Sequence, residues 1–598
     1  MILLALTRYY ERLREQGSKG LAPPGYSPVG ISYEIVLNMV GDIVAVNDIR
    51  ETSGGKLRPK PLIVPQPPKR SSNIAPCFLS DKTSYVLGVS ATSKRTKEEH
   101  AAFKARHLDA LNDADDPGLQ ALCRFLRRWT PEQFVTTGIF NEDMLDATLV
   151  FRLDGSRQYL HERETARVAW ARLISTDDTV AAQPCLITGK IGAPVLLHPF
   201  IKGVRGAQSS GASIVSFNLD AFKSFGKEQG ANAPVSQEAA FAYTTALNHL
   251  LRAGSDNFQK LQIGDITVVF WAEADDSEQA QEAELTFGTL LNGFAPDDDS
   301  EAQKIRNILD NIAQGRPLDD VNPKLNDTTL MYVLGLAPNA SRLSIRLWEI
   351  ATLGTFAHRI LQHTEDFHIE PLPWKTAPST WRVALATAPI RTGAKPKIDD
   401  VATNLASDIL RSVLTGHPYP RSMLATTLMR MRSDHVISGL RVAICKAIPT
   451  RERRLGLHQQ EEKPPVSLNK ESKHPGYRLG RLFATLEDAQ RCAQGKINAT
   501  IRDRYYGAAS STPASVFPIL LRNTQNHLSK LRKDKPGLAA SLEKDIREII
   551  DGLPEAFPRS LPMEAQGQFA IGYYHQFQAR FQKSTQDKDD EHIEEIAI

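Results

Sequence analysis

The chain has 598 residues, of which 41% are hydrophobic and 24% are charged. That length suggests about three to five domains, and the composition argues against global disorder. Five widely spaced cysteines exclude a disulfide scaffold and argue against a cysteine metal site. We expect a reducing, cytoplasmic location, with neither a signal peptide nor a membrane-spanning segment.

Charge is distributed unevenly along the chain, although the formal net charge is only +3. Residues 271–320 hold 13 Asp and Glu against three Lys and Arg, a net charge of −10. Residues 421–535 hold 22 Lys and Arg against nine Asp and Glu, a net charge of +13. This asymmetry suggests a polyanionic partner for the C-terminal third. The alternative is that both segments are simply solvated surface.

The N-terminal elements are predicted from periodicity and turn residues. We predict a helix over residues 3–14 and a β-hairpin formed by residues 31–37 and 43–49. Prolines and basic residues predict a semi-rigid loop over residues 59–73, followed by a short strand at residues 85–89.

The next region is predicted to be mixed α/β. Helical spacing indicates helices at residues 98–111, 118–129 and 237–251. Apolar runs indicate strands at residues 185–188, 195–197, 214–217 and 266–271. Residues 203–211 form a loop rich in Gly and Ser, a composition that suits close approach to a backbone.

The C-terminal part is predicted to change from mixed structure to helices. An acidic helical segment precedes strands at residues 330–336 and 343–349, and helical spacing dominates from about residue 401. The predicted fold class is α+β, in which a mixed N-terminal α/β region with antiparallel hairpins precedes an all-α helical bundle. Four divisions are predicted. Residues 1–270 form the region that recognises the duplex or motif, and residues 271–455 form an acidic, β-containing middle region. Residues 456–476 are a linker, and residues 477–598 form the bundle.

Sequence signatures of catalysis are weak. Residues 206–213 have two glycines at P-loop spacing, but Ala212 replaces the lysine that reaches the phosphates. His358, His363 and His368 are expected at the surface rather than around a metal. Asp434-His435 lacks the further ligands that a metal nuclease needs. We therefore expect a binding protein or scaffold and not an enzyme, with no catalytic residue, metal or cofactor.

Basic residues mixed with aromatic residues are the positive signal. One cluster contains Arg502, Arg504 and residues 505–507, and another contains Arg478, Arg481, Tyr477 and Phe483. Arginine neutralises phosphates, and aromatic rings stack on bases. The alternative places the aromatic side chains in the core, as we expect for Phe483, with the arginines at its rim.

Several motifs together resemble a known family. They are Arg478-Leu479-Gly480-Arg481-Leu482-Phe483-Ala484, Tyr505-Tyr506-Gly507-Ala508-Ala509, Gln566-Gly567 with Gly572-Tyr573-Tyr574-His575-Gln576, Phe78-Leu79-Ser80-Asp81, Ser216-Phe217-Asn218, Asn232-Ala233-Pro234-Val235 and Leu336-Ala337-Pro338-Asn339-Ala340. In this order the motifs resemble the large subunit of the type I-C CRISPR surveillance complex (Cascade) along nearly the whole chain. None of them is a catalytic signature.

The resemblance implies a non-catalytic subunit near the 5′ handle of the CRISPR RNA. It implies that the N-terminal domain recognises the protospacer-adjacent motif on double-stranded DNA and starts unwinding. The bundle would resemble the small subunit and hold the displaced single strand. Implied partners are CRISPR RNA, the DNA target, the backbone and handle-binding subunits, the small subunit and a helicase-nuclease. The alternatives are a general RNA- or DNA-binding scaffold and a hydrolase with a site that is not evident.

Two sets of residues are candidates for nucleic-acid contact. The motif-recognition candidates are Lys69, Arg70, Ser72, Asn73, Lys202, Arg205, Gln208, Lys223 and Asn232, where Asn232 has a turn cap as its alternative. The candidates for phosphate contact are Arg478, Arg481, Arg502, Arg504, Arg522 and Lys530. Because small subunits in the family often arise by internal translation, we also expect a fragment of residues 466–598 to fold independently, with a dispensable tail after residue 582.

Overall fold

The computed structural model describes residues 1–17, 21–53, 55–68, 70, 73–175, 182–254, 257–292, 307–320, 322–374, 378–391, 396–397, 400–457, 462–495 and 497–585. The described chain divides into two compact units. Unit 1 consists of Met1–Gly203, Ala207–Ala253 and Asn339–Leu343, and unit 2 of Val204–Gly206, Gly254–Pro338 and the chain from Ser344 onward.

Unit 1 contains small sheets and the first helices. Its strands are β1 (Tyr26–Ile31), β2 (Tyr33–Leu37), β3 (Ile43–Asp48), β4 (Glu51–Ser53), β5 (Lys56–Arg58), β6 (Lys60–Pro65), β7 (Ser80–Lys82), β8 (Thr148–Leu153), β9 (Gln183–Pro184) and β10 (Ile191–Gly192). Its helices are α1 (Ile2–Glu15), α2 (Thr83–Val86), α3 (Thr96–Ala110), α4 (Pro117–Arg128), α5 (Gln133–Thr136), α6 (Glu164–Ser175) and α7 (Gln237–Leu250).

The central sheet of unit 1 has the strand order β3-β2-β8-β7. β2 pairs antiparallel with β3 and parallel with β8, so it is the more central strand of the hairpin and all five of its residues are buried. β1 pairs with β6, and β4 pairs with β5, in separate antiparallel ribbons. Aromatic stacking of Phe78 on His107 and on Trp170 joins the neighbouring helices.

Several predictions for unit 1 are confirmed. α1, the β2–β3 hairpin, α3, α4 and α7 lie where periodicity placed them. The predicted loop over residues 59–73 is wrong in its first part, because Lys60–Pro65 forms β6. β6 pairs with β1 in a two-stranded sheet, so within the described chain the other edge of β6 makes no hydrogen bonds to a strand. Proline is tolerated there because that edge needs no N–H donor.

Four predicted strands of unit 1 are wrong. Residues 85–89 instead overlap the short helix α2. The Tyr85 carbonyl is hydrogen-bonded to the His100 ring, and the Leu87 carbonyl accepts from the Trp129 indole N–H. Residues 185–188, 195–197 and 214–217 form no regular strand. Single backbone hydrogen bonds, such as that from the Val195 N–H to the Val235 carbonyl, replace a continuous ladder there.

Unit 2 combines one antiparallel sheet with helices. The strands of this sheet are β11 (Lys260–Ile263), β12 (Ile266–Glu273), β13 (Leu330–Asn339) and β14 (Arg342–Thr352), in that order, and only Asn339, Arg342 and Leu343 among their residues are assigned to unit 1. The helices of unit 2 are α8 (Ser277–Asn292), α9 (Leu353–Phe367), α10 (Thr380–Leu385), α11 (Thr403–Thr415), α12 (Arg421–Asp434), α13 (Gly439–Arg454), α14 (Pro475–Gln494), α15 (Ile501–Ser511), α16 (Pro513–Asp534), α17 (Pro536–Asp551) and α18 (Met563–Thr585).

One continuous hydrophobic core runs through unit 2. It includes sheet residues such as Phe270 and bundle residues such as Phe483, so the predicted core position of Phe483 is confirmed. Helices α14 and α18 pack closely at three glycines, Gly476, Gly480 and Gly572. A Cβ on Gly480 would lie 2.0 Å from the Phe569 carbonyl oxygen, and one on Gly572 would lie 2.1 Å from the Tyr477 carbonyl oxygen. A side chain larger than that of glycine at these positions would collide with the backbone of the facing helix.

The α+β fold class is confirmed, and within the described residues no strand follows β14. The predicted surface position of His363 is wrong. His363 is buried, and its Nδ1 lies 2.7 Å from the Tyr419 hydroxyl. Burial lowers the pKa of His363 to about 3. Asp366, on the same helix, is buried against Arg451 at 2.6 Å. This part of α9 therefore belongs to a buried polar network.

Candidate nucleic-acid interface

Arg70, a candidate for motif recognition, is held by an internal ion pair. Its guanidinium donates to both Asp81 carboxylate oxygens at 3.0 and 2.5 Å and lies 4.0 Å above the Tyr85 ring. Burial opposes its charge, but the Asp81 hydrogen bonds leave the pKa of Arg70 raised. Contact between Arg70 and DNA would therefore require this pair to open.

The neighbours of Arg70 differ in what the structure describes. Lys69 and Ser72 lie outside the described residues. Asn73 is exposed, so its carboxamide is accessible from solvent. An exposed carboxamide has the chemistry needed to hydrogen-bond a base edge.

Lys202, Arg205 and Gln208 are all exposed, and the backbone near two of them is fixed. The Lys202 N–H donates to the Asn248 side chain at 2.8 Å. The Arg205 N–H donates to the Thr267 hydroxyl at 3.2 Å. These positions combine an anchored backbone with long polar side chains, as phosphate contacts require.

Asn232 holds a loop together. Its side chain accepts from the Ser224 N–H at 3.0 Å and donates to the Lys227 and Gln229 carbonyls. These contacts agree with the alternative role of Asn232, in which its side chain stabilises a turn. Lys223, in the same loop, pairs with Asp220 at 3.0 Å, and this hydrogen bond raises the pKa of Lys223.

The C-terminal candidates separate into buried and exposed side chains. Arg481 is 4% exposed and donates to the Gln576 side chain and the Lys470 carbonyl. Arg478 donates to the Ser472 carbonyl. Both arginines therefore tie residues 469–472 to the bundle, and Arg481 offers little guanidinium surface to a phosphate.

Arg502 also faces an internal cluster. Burial opposes its charge, whereas the neighbouring Tyr573 and Glu487 raise the pKa of Arg502. Glu487 is buried and accepts from the Tyr573 hydroxyl at 2.6 Å. Arg504, two residues further along α15, is exposed. Of this pair, Arg504 has the accessible guanidinium.

The exposed basic face of α16 is the clearest candidate for phosphate contact. It carries Arg522, Asn526, Lys530 and Lys533, all of them exposed. At about 100° per residue these positions fall within an arc of about 80° on the helix surface. Asp534 is the only acidic residue in the helix. A single strand following this face would meet cations and an amide, and the one carboxylate of α16, Asp534, lies outside the arc.

Two exposed features were missed by the sequence-based predictions. Phe225 is 97% exposed in the loop that Asn232 holds, with a φ of +52°. The β4–β5 ribbon is the second feature, and Leu57 within it is 56% exposed. The signal for the ribbon was available, because Gly54-Gly55 between short polar runs is a hairpin turn pattern. Nothing in the sequence distinguishes an exposed Phe225 from a core phenylalanine.

The described residues show neither a metal-binding cluster nor a membrane-spanning helix. Across those residues, His, Cys, Asp and Glu side chains form no group of three able to hold a metal ion. Over the same residues, no helix has the length and apolar character needed to cross a membrane.

Comparison with known proteins identifies the family. The family model described as CRISPR-associated protein (Cas_Csd1) matches residues 6–581, which is nearly the whole chain. No curated protein matches the chain. The chain therefore belongs to the CRISPR-associated Cas_Csd1 family, the family of the large subunit of type I-C Cascade.

Proposed function

We propose that this large subunit recognises a protospacer-adjacent motif on double-stranded DNA, promotes unwinding and holds the displaced strand. Its proposed partners are CRISPR RNA, the DNA target, the backbone, handle-binding and small subunits, and a helicase-nuclease. We propose that the subunit itself is not catalytic, since DNA cleavage would belong to the recruited helicase-nuclease.

The exposed basic face of α16, in a chain of the Cas_Csd1 family, carries the proposal. Its cations supply sequence-independent attraction for a phosphate backbone. Such a surface fits a strand whose sequence is not read by the protein. The guide RNA reads the target by base pairing, which leaves the protein a short motif and the nucleic-acid backbones to contact.

Motif reading requires polar groups that reach base edges. Asn73 supports this role because it is exposed and follows the anchored Arg70 by three residues in the sequence. An Asn side chain can hydrogen-bond the N6 and N7 positions of adenine in the major groove. Lys202, Arg205 and Gln208 would supply further contacts to phosphates and bases.

Binding of the assembled complex to guide-matched duplexes tests this function. The duplexes carry a randomised segment beside the target, and complexes with and without this chain are compared at one stated salt concentration. We expect enrichment of a short motif only when the chain is present. Equal binding to all flanking sequences would instead support the general scaffold.

Substitution Asn73→Ala tests base contact directly. If the carboxamide hydrogen-bonds a base, preference for the favoured motif falls by about 1–3 kcal/mol. Asn112→Ala removes another exposed carboxamide and serves as the matched control. A uniform loss on all motifs would assign Asn73 to backbone positioning, and unchanged binding would remove Asn73 from the site.

A further inference from the structure

Strands β4 and β5 form a narrow, two-stranded antiparallel ribbon in unit 1. β4 and β5 pair with Glu51 opposite Arg58, Thr52 opposite Leu57 and Ser53 opposite Lys56. Glu51, Thr52 and all three residues of β5 are exposed. An isolated two-stranded ribbon gains little stability by itself, so an exposed pair of strands calls for an explanation by function.

The acidic residues of this ribbon are paired at its base. Asp48 accepts from the Arg50 guanidinium at 2.6 Å, and Glu51 pairs with Lys60 at 3.4 Å. Arg50 also lies 5.0 Å above the Tyr33 ring, which belongs to the central sheet. These contacts fix the base of the ribbon and neutralise both of its carboxylates.

Strand β5 carries two exposed cations, Lys56 next to the turn and Arg58 opposite Glu51. Lys56 and Arg58 are two residues apart in one strand, so their side chains share a face about 6.5 Å apart. This spacing is comparable to that of neighbouring phosphates along one DNA strand. Gly55, at the tip, has a φ of +74° and no heavy atom within 4 Å of a built Cβ. The start of β5 is therefore slim as well as basic, because Lys56 follows Gly55 directly.

The dimensions of the ribbon fit a duplex groove. Three residues per strand span about 10 Å, and the strands lie about 4.8 Å apart. The major groove of B-DNA is about 12 Å wide and 8.5 Å deep and admits a two-stranded ribbon. A single strand offers no groove of this shape, so the geometry favours double-stranded DNA.

We propose that the β4–β5 ribbon enters the major groove of duplex DNA, with Lys56 and Arg58 bound to phosphates at its edge. The inference rests on the proposed function and names the element that grips the duplex before unwinding. Because the cations contact phosphates, the ribbon anchors the duplex without choosing its sequence. Motif choice remains with other residues.

The test measures binding of the full-length chain to a duplex as salt concentration is raised. The variant combines Lys56→Gln with Arg58→Gln. The control combines Lys94→Gln with Lys97→Gln, two other exposed lysines of unit 1. Loss of two phosphate contacts flattens the slope of log K against log salt by about 1.8 and weakens binding about 60-fold at about 0.1 M salt. The control is expected to change both quantities much less.

Four outcomes are informative. Flattening only in the ribbon variant, with relative affinities for different motifs preserved, supports the inference. Equal slopes for wild type and ribbon variant overturn it while leaving the proposed function standing. Normal duplex binding with lost assembly into the complex would also overturn it, by assigning the ribbon to a protein partner. A wild-type chain that binds no duplex, alone or assembled, contradicts the proposed function itself. Thermal melting of both variants checks that the fold is retained.

Discussion

Removing two cations from the basic face of α16 is expected to weaken single-strand binding by a predictable amount. The variant combines Arg522→Gln with Lys530→Gln, both exposed and eight residues apart, or about 12 Å along the helix. A single-strand phosphate contact contributes about 0.7 to the salt slope, so two contacts contribute about 1.4. At about 0.1 M salt this corresponds to a loss of about 25-fold in affinity.

The matched control removes one arginine and one lysine that already have carboxylate partners. Arg532 pairs with Glu543 at 2.7 Å, and Lys544 pairs with Glu548 at 3.7 Å. Since these cations are partly neutralised, Arg532→Gln with Lys544→Gln should change the slope by much less. The assay is titration of a labelled single-stranded DNA with the full-length chain over a range of salt concentrations. If the two double variants had identical salt slopes, the exposed face of α16 would not be the surface that contacts phosphates.

Three further predictions concern stability and organisation. Asp366→Asn removes the partner of the buried Arg451 guanidinium and should lower the free energy of unfolding by about 3–5 kcal/mol, measured by denaturant titration. His107 accepts from the Leu79 N–H through Nε2, and burial lowers its pKa to about 4. Protonation therefore favours the unfolded chain, and the contribution of His107 to stability should fall by about 3 kcal/mol as pH decreases from about 6.5 to 4, a contribution that His107→Gln removes. A fragment of residues 466–598 should melt at a lower temperature than one of residues 421–598, because α12 and α13 share the core of the bundle.

Each of these predictions has a contradicting result. Asp366→Asn should lower the free energy of unfolding far more than Asp220→Asn, which removes the partner of Lys223. Equal losses would mean that the buried pair adds no more stability than the exposed one. An unchanged pH profile in His107→Gln would assign the acid sensitivity to other groups. Equal melting temperatures for the two fragments would show that the bundle is complete without α12 and α13.

Elements with strong periodicity or clear turn residues could be predicted from the sequence. The helices α3, α4 and α7 and the hairpin β2–β3 follow from local pattern alone. β6 could not be predicted in this way, because its prolines are tolerated only through pairing with the distant β1. Residues 195–197 are an apolar run that was predicted to be a strand but is not one. Their backbone hydrogen bonds go to scattered partners instead of to one neighbouring strand.

The candidate site shows the same limit at the level of side chains. Arg481 and Arg522 have similar local sequence environments, with apolar residues beside a basic residue, but only Arg522 is exposed. The difference comes from α14, which is enclosed by other helices of the bundle, whereas the Arg522 face of α16 points to solvent. Arg70 likewise resembles a free loop arginine until Asp81, 11 residues away, is seen to bind it.

Opening of a guide-matched duplex by the assembled complex tests the central claim most directly. A fluorescent base analogue placed beside the motif reports strand separation as it occurs. We predict rapid opening only when both this chain and a permitted motif are present, and slow or no opening when either is missing. Equal opening by a complex that lacks the chain would contradict the proposed role in motif recognition and unwinding.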